Sequence, residues 1–186
     1  MSAELARMKF NIHDVERMVK AGVFAGNERV ELIEGELIQM AAQGSNHISS
    51  VIRLTTFLTS RVGDDVLVSI QNAVIINDIN EPQPDVSLLH FRDDYYSTAK
   101  ARPEDVLLLI EVSDSTVTYD RKVKVPLYAR NGIAEVWLVN LPKKVVEVYN
   151  HLEDGKYKVV KKLERGETLS PKLIPSLKIK VEEIIG

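Results

Sequence analysis

The stretch VLLLIEVS at residues 106–113 decides the fold. It is almost wholly apolar and shows no alternation, as expected for a central strand buried on both faces. Its uninterrupted apolar core, VLLLI, is far shorter than the roughly 18 residues a spanning helix needs. Downstream, IAEVWLVN at 133–140 reads as a second buried strand. Between the two, YDRKVKVPLYARN at 119–131 reads as a helix that ends at Gly132, a residue suited to a left-handed cap. Pro126 lies inside that helix and should kink it or confine its regular part to one side.

Upstream, DVSLL at 85–89 follows Pro84 as a short strand, and VLVSIQNAVII at 66–76 is a long β-rich segment; NDINEPQP between them is a polar loop with two prolines. Residues 92–104 are charged and read as an exposed loop. Ser45 can cap a helix over 46–61, where Ile48, Val51, Ile52, Thr55 and Leu58 form one stripe and His47 sits near its edge. Residues 29–40 (RVELIEGELIQM) read as two strands around Gly35, and Ile12, Val15 and Val19 predict a short N-terminal helix. Downstream of 140, KVVEVYN and KYKVVKKL read as a hairpin around Asp154-Gly155, and the tail ends in VEEII. The order predicts an α/β protein with a mixed β-sheet flanked by helices, an N-terminal β-hairpin and a C-terminal β-hairpin extension.

The chain has 186 residues, 45% of them hydrophobic and 27% charged. That is enough for a core without staples, since a chain of this size buries about 70% of its unfolded surface. We expect one domain over 1–186, with a helical arm at 1–28, a core at 29–149 and a basic extension at 150–186. There is no cysteine, which excludes disulfides, thiolate metal sites and a cysteine nucleophile. The start MSAELARMKF has no apolar signal core, so a soluble, cytoplasmic protein is expected. The net charge of −3 hides an asymmetry: residues 121–186 carry 14 basic and 8 acidic side chains, a balance of +6, and residues 1–120 carry −9. An acidic front suits cation binding and a basic rear suits anion binding.

The chemistry-bearing residues are carboxylates at predicted strand ends. Asp85 opens a strand. Glu111 interrupts the most apolar strand in the chain, where an ionised carboxylate is costly unless paired or bound to a metal. Glu111 therefore lies at the strand's open end or is neutralised by a partner. Two such carboxylates with a backbone carbonyl nearby make a hard, oxygen-rich site suited to Mg²⁺ or Mn²⁺. Glu31 in the early hairpin is a candidate third carboxylate. Lys124, on the following helix, could aim its ammonium at the same place and stabilise charge on a phosphate. Trp137 and Tyr128 read as core residues. No Gly-rich phosphate loop is present, and a hydrolase triad around Asp114, Ser115 and Thr116 has no histidine until His151.

Taken in order, RVELIEGEL (29–37), the His47 helix, QPDVSLL (83–89), LLIEVSDST (108–116) and YDRKVKVPLYARNGIAEVWLVN (119–140) resemble the Uma-type family, described as "putative endonucleases" of the restriction-endonuclease-like PD-(D/E)XK group. The resemblance covers most of residues 29–149. It implies a restriction-endonuclease-like core, with Asp85 and Glu111 as catalytic metal ligands, the Val112 carbonyl as a third ligand, and Lys124 as the catalytic lysine. The usual motif would put lysine at 113, where this chain has Ser113; Lys122 competes with Lys124 for the displaced role. Glu31 and His47 would be auxiliary.

The function so implied is Mg²⁺- or Mn²⁺-dependent hydrolysis of phosphodiester bonds in DNA. Lys143, Lys144, Lys161 and Lys162, with Lys156 and Lys158, would supply phosphate contacts. No membrane partner is expected, and a restriction-type fold is compatible with a homodimer. The alternatives are a nuclease-fold binding or regulatory module with weak or no catalysis, and a metal-dependent phosphoesterase acting on small molecules.

Overall fold

The computed structural model describes residues 7–24 and 29–186. Residues 1–6 and 25–28, part of the expected helical arm, lie outside the described residues. In chain order the elements are α1 (Ile12–Lys20), a hairpin of β1 (Val30–Ile33) and β2 (Glu36–Gln39), α2 (Ser45–Thr59), β3 (Val66–Ile70), β4 (Val86–His90) and β5 (Val106–Ser113). A helical run follows, made of α3 (Val117–Tyr119), a π-helical turn (Asp120–Lys124) and α4 (Val125–Arg130). Then come β6 (Val136–Asn140), β7 (Val145–Glu153), β8 (Lys156–Leu163), the short strands β9 (Thr168–Leu169) and β10 (Ile179–Lys180), and α5 (Val181–Ile185).

Six strands form one mixed sheet in the order β3-β4-β5-β6-β7-β8. Its one parallel pair is β5–β6, bridged by the helical run, as a parallel pair requires a crossover. β5 is central and buried at all eight residues, which is why its sequence lacks alternation. Leu108, Ile110 and Val112 face a core shared with α2 and α5; Leu109 faces a second core with Val125 and Tyr128 of α4. The expected C-terminal hairpin is β7–β8, and it continues the main sheet. Leu169, Leu177, Ile179, Val181 and Ile184 from the tail close the first core.

Two local expectations are corrected, and a third is met in one of its two forms. The β-rich segment 66–76 ends as a strand at Ile70, because Gln71 takes a left-handed conformation (φ 53°) and turns the chain away; Val74 makes only an isolated bridge to Ala101. Ser45 is the first residue of α2, and Gly44 is its N-cap with no side-chain bond. Pro126 confines the regular part of the helix to one side, one of its two expected effects: α4 begins at Val125 and runs on from there. The π-helical turn precedes it, with the Val125 N–H donating to the Asp120 carbonyl five residues back. A widened turn suits a proline because the ring removes a donor and would crowd the carbonyl four residues earlier.

Candidate active site

The site lies where the C-terminal half of β5 runs past the start of β4. In a strand, successive side chains alternate, so Glu111 and Ser113 point to the face covered by the helical run. The hairpin β1–β2 is tied to the segment before β4 by a Leu32–Glu81 bridge, which brings Glu31 to that same face. α2 brings His47 from its first turn. A cavity of about 260 Å³ opens among these elements, lined by Glu31, His47, Asp85, Glu111, Val112 and Lys124 together with the 38–44 connection and Asp114–Thr116.

Asp85 is buried and held on three sides. One carboxylate oxygen lies 3.1 Å from His47 Nε2 and accepts from the Gln71 side-chain amide at 3.1 Å; the other accepts the Val112 N–H at 2.9 Å. Burial alone would raise its pKa, but His47, the Val112 N–H and Gln71 outweigh it, and the net shift is downward. Asp85 is thus kept ionised. A residue's N–H and C=O point to the same strand edge, so the Val112 carbonyl faces the Asp85 side as well.

Glu111 is buried to 3% exposure. Its Oε1 accepts from the Tyr128 hydroxyl at 2.5 Å and pairs with Lys124 Nζ at 2.9 Å. Lys124 Nζ also pairs with Glu31 Oε1 at 2.9 Å, and that oxygen accepts the Gln83 N–H at 2.7 Å. Burial pushes Glu111 above the usual carboxylate range, the charges of Asp120, Asp85 and Glu31 push the same way, and Lys124 opposes them without prevailing. Lys124 is itself pushed up, because Glu111, Glu31 and Asp120 together outweigh its burial. One ammonium is therefore shared among several carboxylates. Five carboxylates (Glu31, Asp85, Glu111, Asp114, Asp120) line the cavity against Lys124 and His47.

The expected residues Asp85, Glu111, Val112, Lys124, Glu31 and His47 all come together at this cavity. Lys122 is exposed and lies outside it. Ser113, at the position where the usual motif carries lysine, instead donates to Asp120 Oδ2 at 2.6 Å, and Thr116 does the same at 2.6 Å. These two bonds anchor the start of the π-helical turn that aims Lys124. The lysines expected to meet phosphates are more scattered. Lys143 and Lys144 sit in the turn after β6, at the site end of the sheet, where Leu141 bonds Ser113. On β8, Lys162 pairs with Glu147 and Lys161 with Val148, so they lie on opposite faces.

Sequence reasoning missed Tyr128, Asp120, Gln71 and Gln83. Tyr128 and Asp120 could have been found from spacing, because each lies four residues from Lys124 and shares its face. Gln71 and Gln83 reach the site from irregular backbone that no periodicity marks. Among the described residues no three His, Asp or Glu side chains converge as a ready-made metal cage. The donors present still fit a hard cation: Asp85 is held ionised, Glu111 Oε2 has no partner among the described residues, and the Val112 carbonyl faces the same edge.

A family model described as Uma2, "putative restriction endonuclease", matches residues 14–182. The chain belongs to this family. The match spans the whole sheet and every residue of the cavity. The Uma2 chain also matches solved structures, among them a "putative nuclease belonging to DUF820" from Anabaena variabilis. That likeness has a TM-score of 0.68 at 12% identity and covers 95% of this chain and 97% of the other. It shows that the two chains share a fold, a mixed sheet flanked by helices. No curated protein matches the chain. No helix among the described residues is long and apolar enough to cross a membrane.

Proposed function

We propose that this Uma2 protein is a divalent-cation-dependent endonuclease that hydrolyses phosphodiester bonds in DNA. The observation that carries the reading is the convergence of Asp85, Glu111 and Lys124 on one cavity lined by five carboxylates. A phosphodiester is an anion and would be repelled from such a cavity unless a cation entered with it. Asp85, Glu111 and the Val112 carbonyl would hold Mg²⁺ or Mn²⁺. When bound, the cation supplies Lewis acidity, neutralising charge on the scissile phosphate and making water more acidic.

The chain's own residues do the rest. His47 and Gln71 orient Asp85, and Lys124 carries the positive charge that stabilises negative charge developing on the phosphate. Glu31 holds the Lys124 ammonium over the cavity until substrate competes for it. Lys143, Lys144 and Lys162 supply phosphate contacts along the site side. A homodimer would present two such sites to the two strands of a duplex in the cytoplasm.

Plasmid cleavage with Mg²⁺ and with Mn²⁺ tests this, using wild type, Asp85→Ala and Lys124→Met. Cleavage by wild type with either ion, at least 100-fold slower in both variants, is expected. No cleavage by wild type, or equal cleavage by all three, would sink the reading. One observation favours a second reading, a nuclease-fold module that binds nucleic acid without cutting it: Lys124 is tied to two carboxylates at once. Calorimetric binding of Mn²⁺ together with absent cleavage would select it.

A further inference from the structure

The side chain that the cation reading does not use is Tyr128. It is fully buried on α4, and its hydroxyl donates to Glu111 Oε1 at 2.5 Å. Lys124 lies one turn before it on the same helix and reaches the same oxygen. Two donors therefore converge on Oε1. Among the described residues, Glu111 Oε2 has no hydrogen-bond partner, and it is not among the enclosed unpartnered side-chain atoms, which there are His47 Nδ1, Ser87 Oγ and Tyr119 OH. Glu111 itself lines the cavity, and Oε2 is its unclamped oxygen. The helix thus sorts the two oxygens of one carboxylate, one clamped and one presented.

We infer that Tyr128 is the positioning residue for Glu111: its hydroxyl fixes Oε1 so that Oε2 stays presented to a divalent cation while Lys124 leaves to meet the phosphate. The inference rests on the proposed cation site and deepens it. Lys124 cannot both stay on Glu111 and stabilise the scissile group. Without a second donor, its departure would leave a buried carboxylate oxygen unpaired and free to rotate, and such a group costs the full desolvation penalty. Tyr128 removes that penalty, since its ring is locked in the core beside Val125 and Val136 and its hydroxyl has no other partner. Partners of this kind fix the orientation of metal-binding groups elsewhere.

The test compares Tyr128→Phe with Tyr149→Phe in the full chain. Tyr149 also donates to a buried carboxylate, Glu147, at 2.7 Å, but Glu147 lies outside the cavity. Mn²⁺ affinity is measured by calorimetry, and melting temperature is measured in parallel. We expect Tyr128→Phe to weaken Mn²⁺ binding by about 10- to 100-fold and Tyr149→Phe to leave it within twofold, with similar melting temperatures in the two variants. Unchanged Mn²⁺ affinity in Tyr128→Phe overturns the inference. So does equal weakening in both, because that is a general structural effect. If wild type binds no Mn²⁺, the cation reading fails, and a crystal structure of Tyr128→Phe then decides the positioning role on its own. A Glu111 side chain that has turned supports it, and one that keeps its place overturns it.

Discussion

Among the described residues, Lys124 is the only ammonium in a cavity of five carboxylates, and the balance of charge around Glu111 follows from that. Because burial and its acidic neighbours raise the Glu111 pKa, the ionised form opposes folding at any pH above the ordinary carboxylate range. Glu111→Gln keeps the shape and removes the charge. We therefore expect it to melt at or above the wild-type temperature at pH 7 while losing cleavage, and a fall of more than a few degrees would count against the account. Asp85 behaves oppositely, since His47 and the Val112 N–H favour its charge. Much of this site was legible in the sequence: an acid inside VLLLIEVS is an anomaly that a strand tolerates only with a partner. Spacing puts Tyr128 on the Lys124 face, but the engagement of its hydroxyl was not legible, because an aromatic residue in a helix looks the same whether its hydroxyl is idle or engaged. The direction of the Lys124 ammonium was equally hidden, since it depends on a π-helical turn that a proline only hints at.

The helical run between β5 and β6 is held to the sheet by a second buried charge network. Arg121 donates to both oxygens of Glu147, at 2.9 and 2.6 Å, and Tyr149 and Asn140 complete the set. Burial pushes the Glu147 pKa up, but the Arg121 bonds, the Tyr149 hydroxyl and the Asn140 amide hold it down to about 2. A depressed carboxylate stabilises the fold fully above its unfolded pKa of about 4.3, and the contribution fades as pH falls toward 2. Melting temperatures between pH 5 and pH 2 should therefore drop more steeply for wild type than for Glu147→Gln, and parallel curves would contradict the assignment. The strands flanking this run were readable because burial on both faces leaves a continuous apolar signature. The end of β3 was not, because VLVSIQNAVII stays apolar beyond the point where Gln71 turns the chain. That turn serves Asp85, whose carboxylate the Gln71 amide reaches.

Across the whole molecule, five carboxylates of the acidic front meet at one cavity, while lysines of the basic rear lie on both faces of the β7–β8 end of the sheet. β8 alternates, so only the lysines on the helical-run side can share a nucleic acid with the cavity. DNA affinity should fall steeply with salt, and Lys162→Ala should lower the slope of log affinity against log salt by about 1. Lys161→Ala, on the α2 side, should leave the slope unchanged; equal effects of the two would place the DNA elsewhere. The tail residues Leu169, Leu177, Ile179, Val181 and Ile184 pack into the core beneath the sheet, a role that their short, proline-broken segments did not advertise. The most direct measurement is the anomalous signal from a crystal soaked in Mn²⁺. One peak bounded by Asp85, Glu111 Oε2 and the Val112 carbonyl is expected. No peak in a crystal that cleaves DNA with Mn²⁺, or a peak held by Asp114 and Asp120 instead, would contradict it.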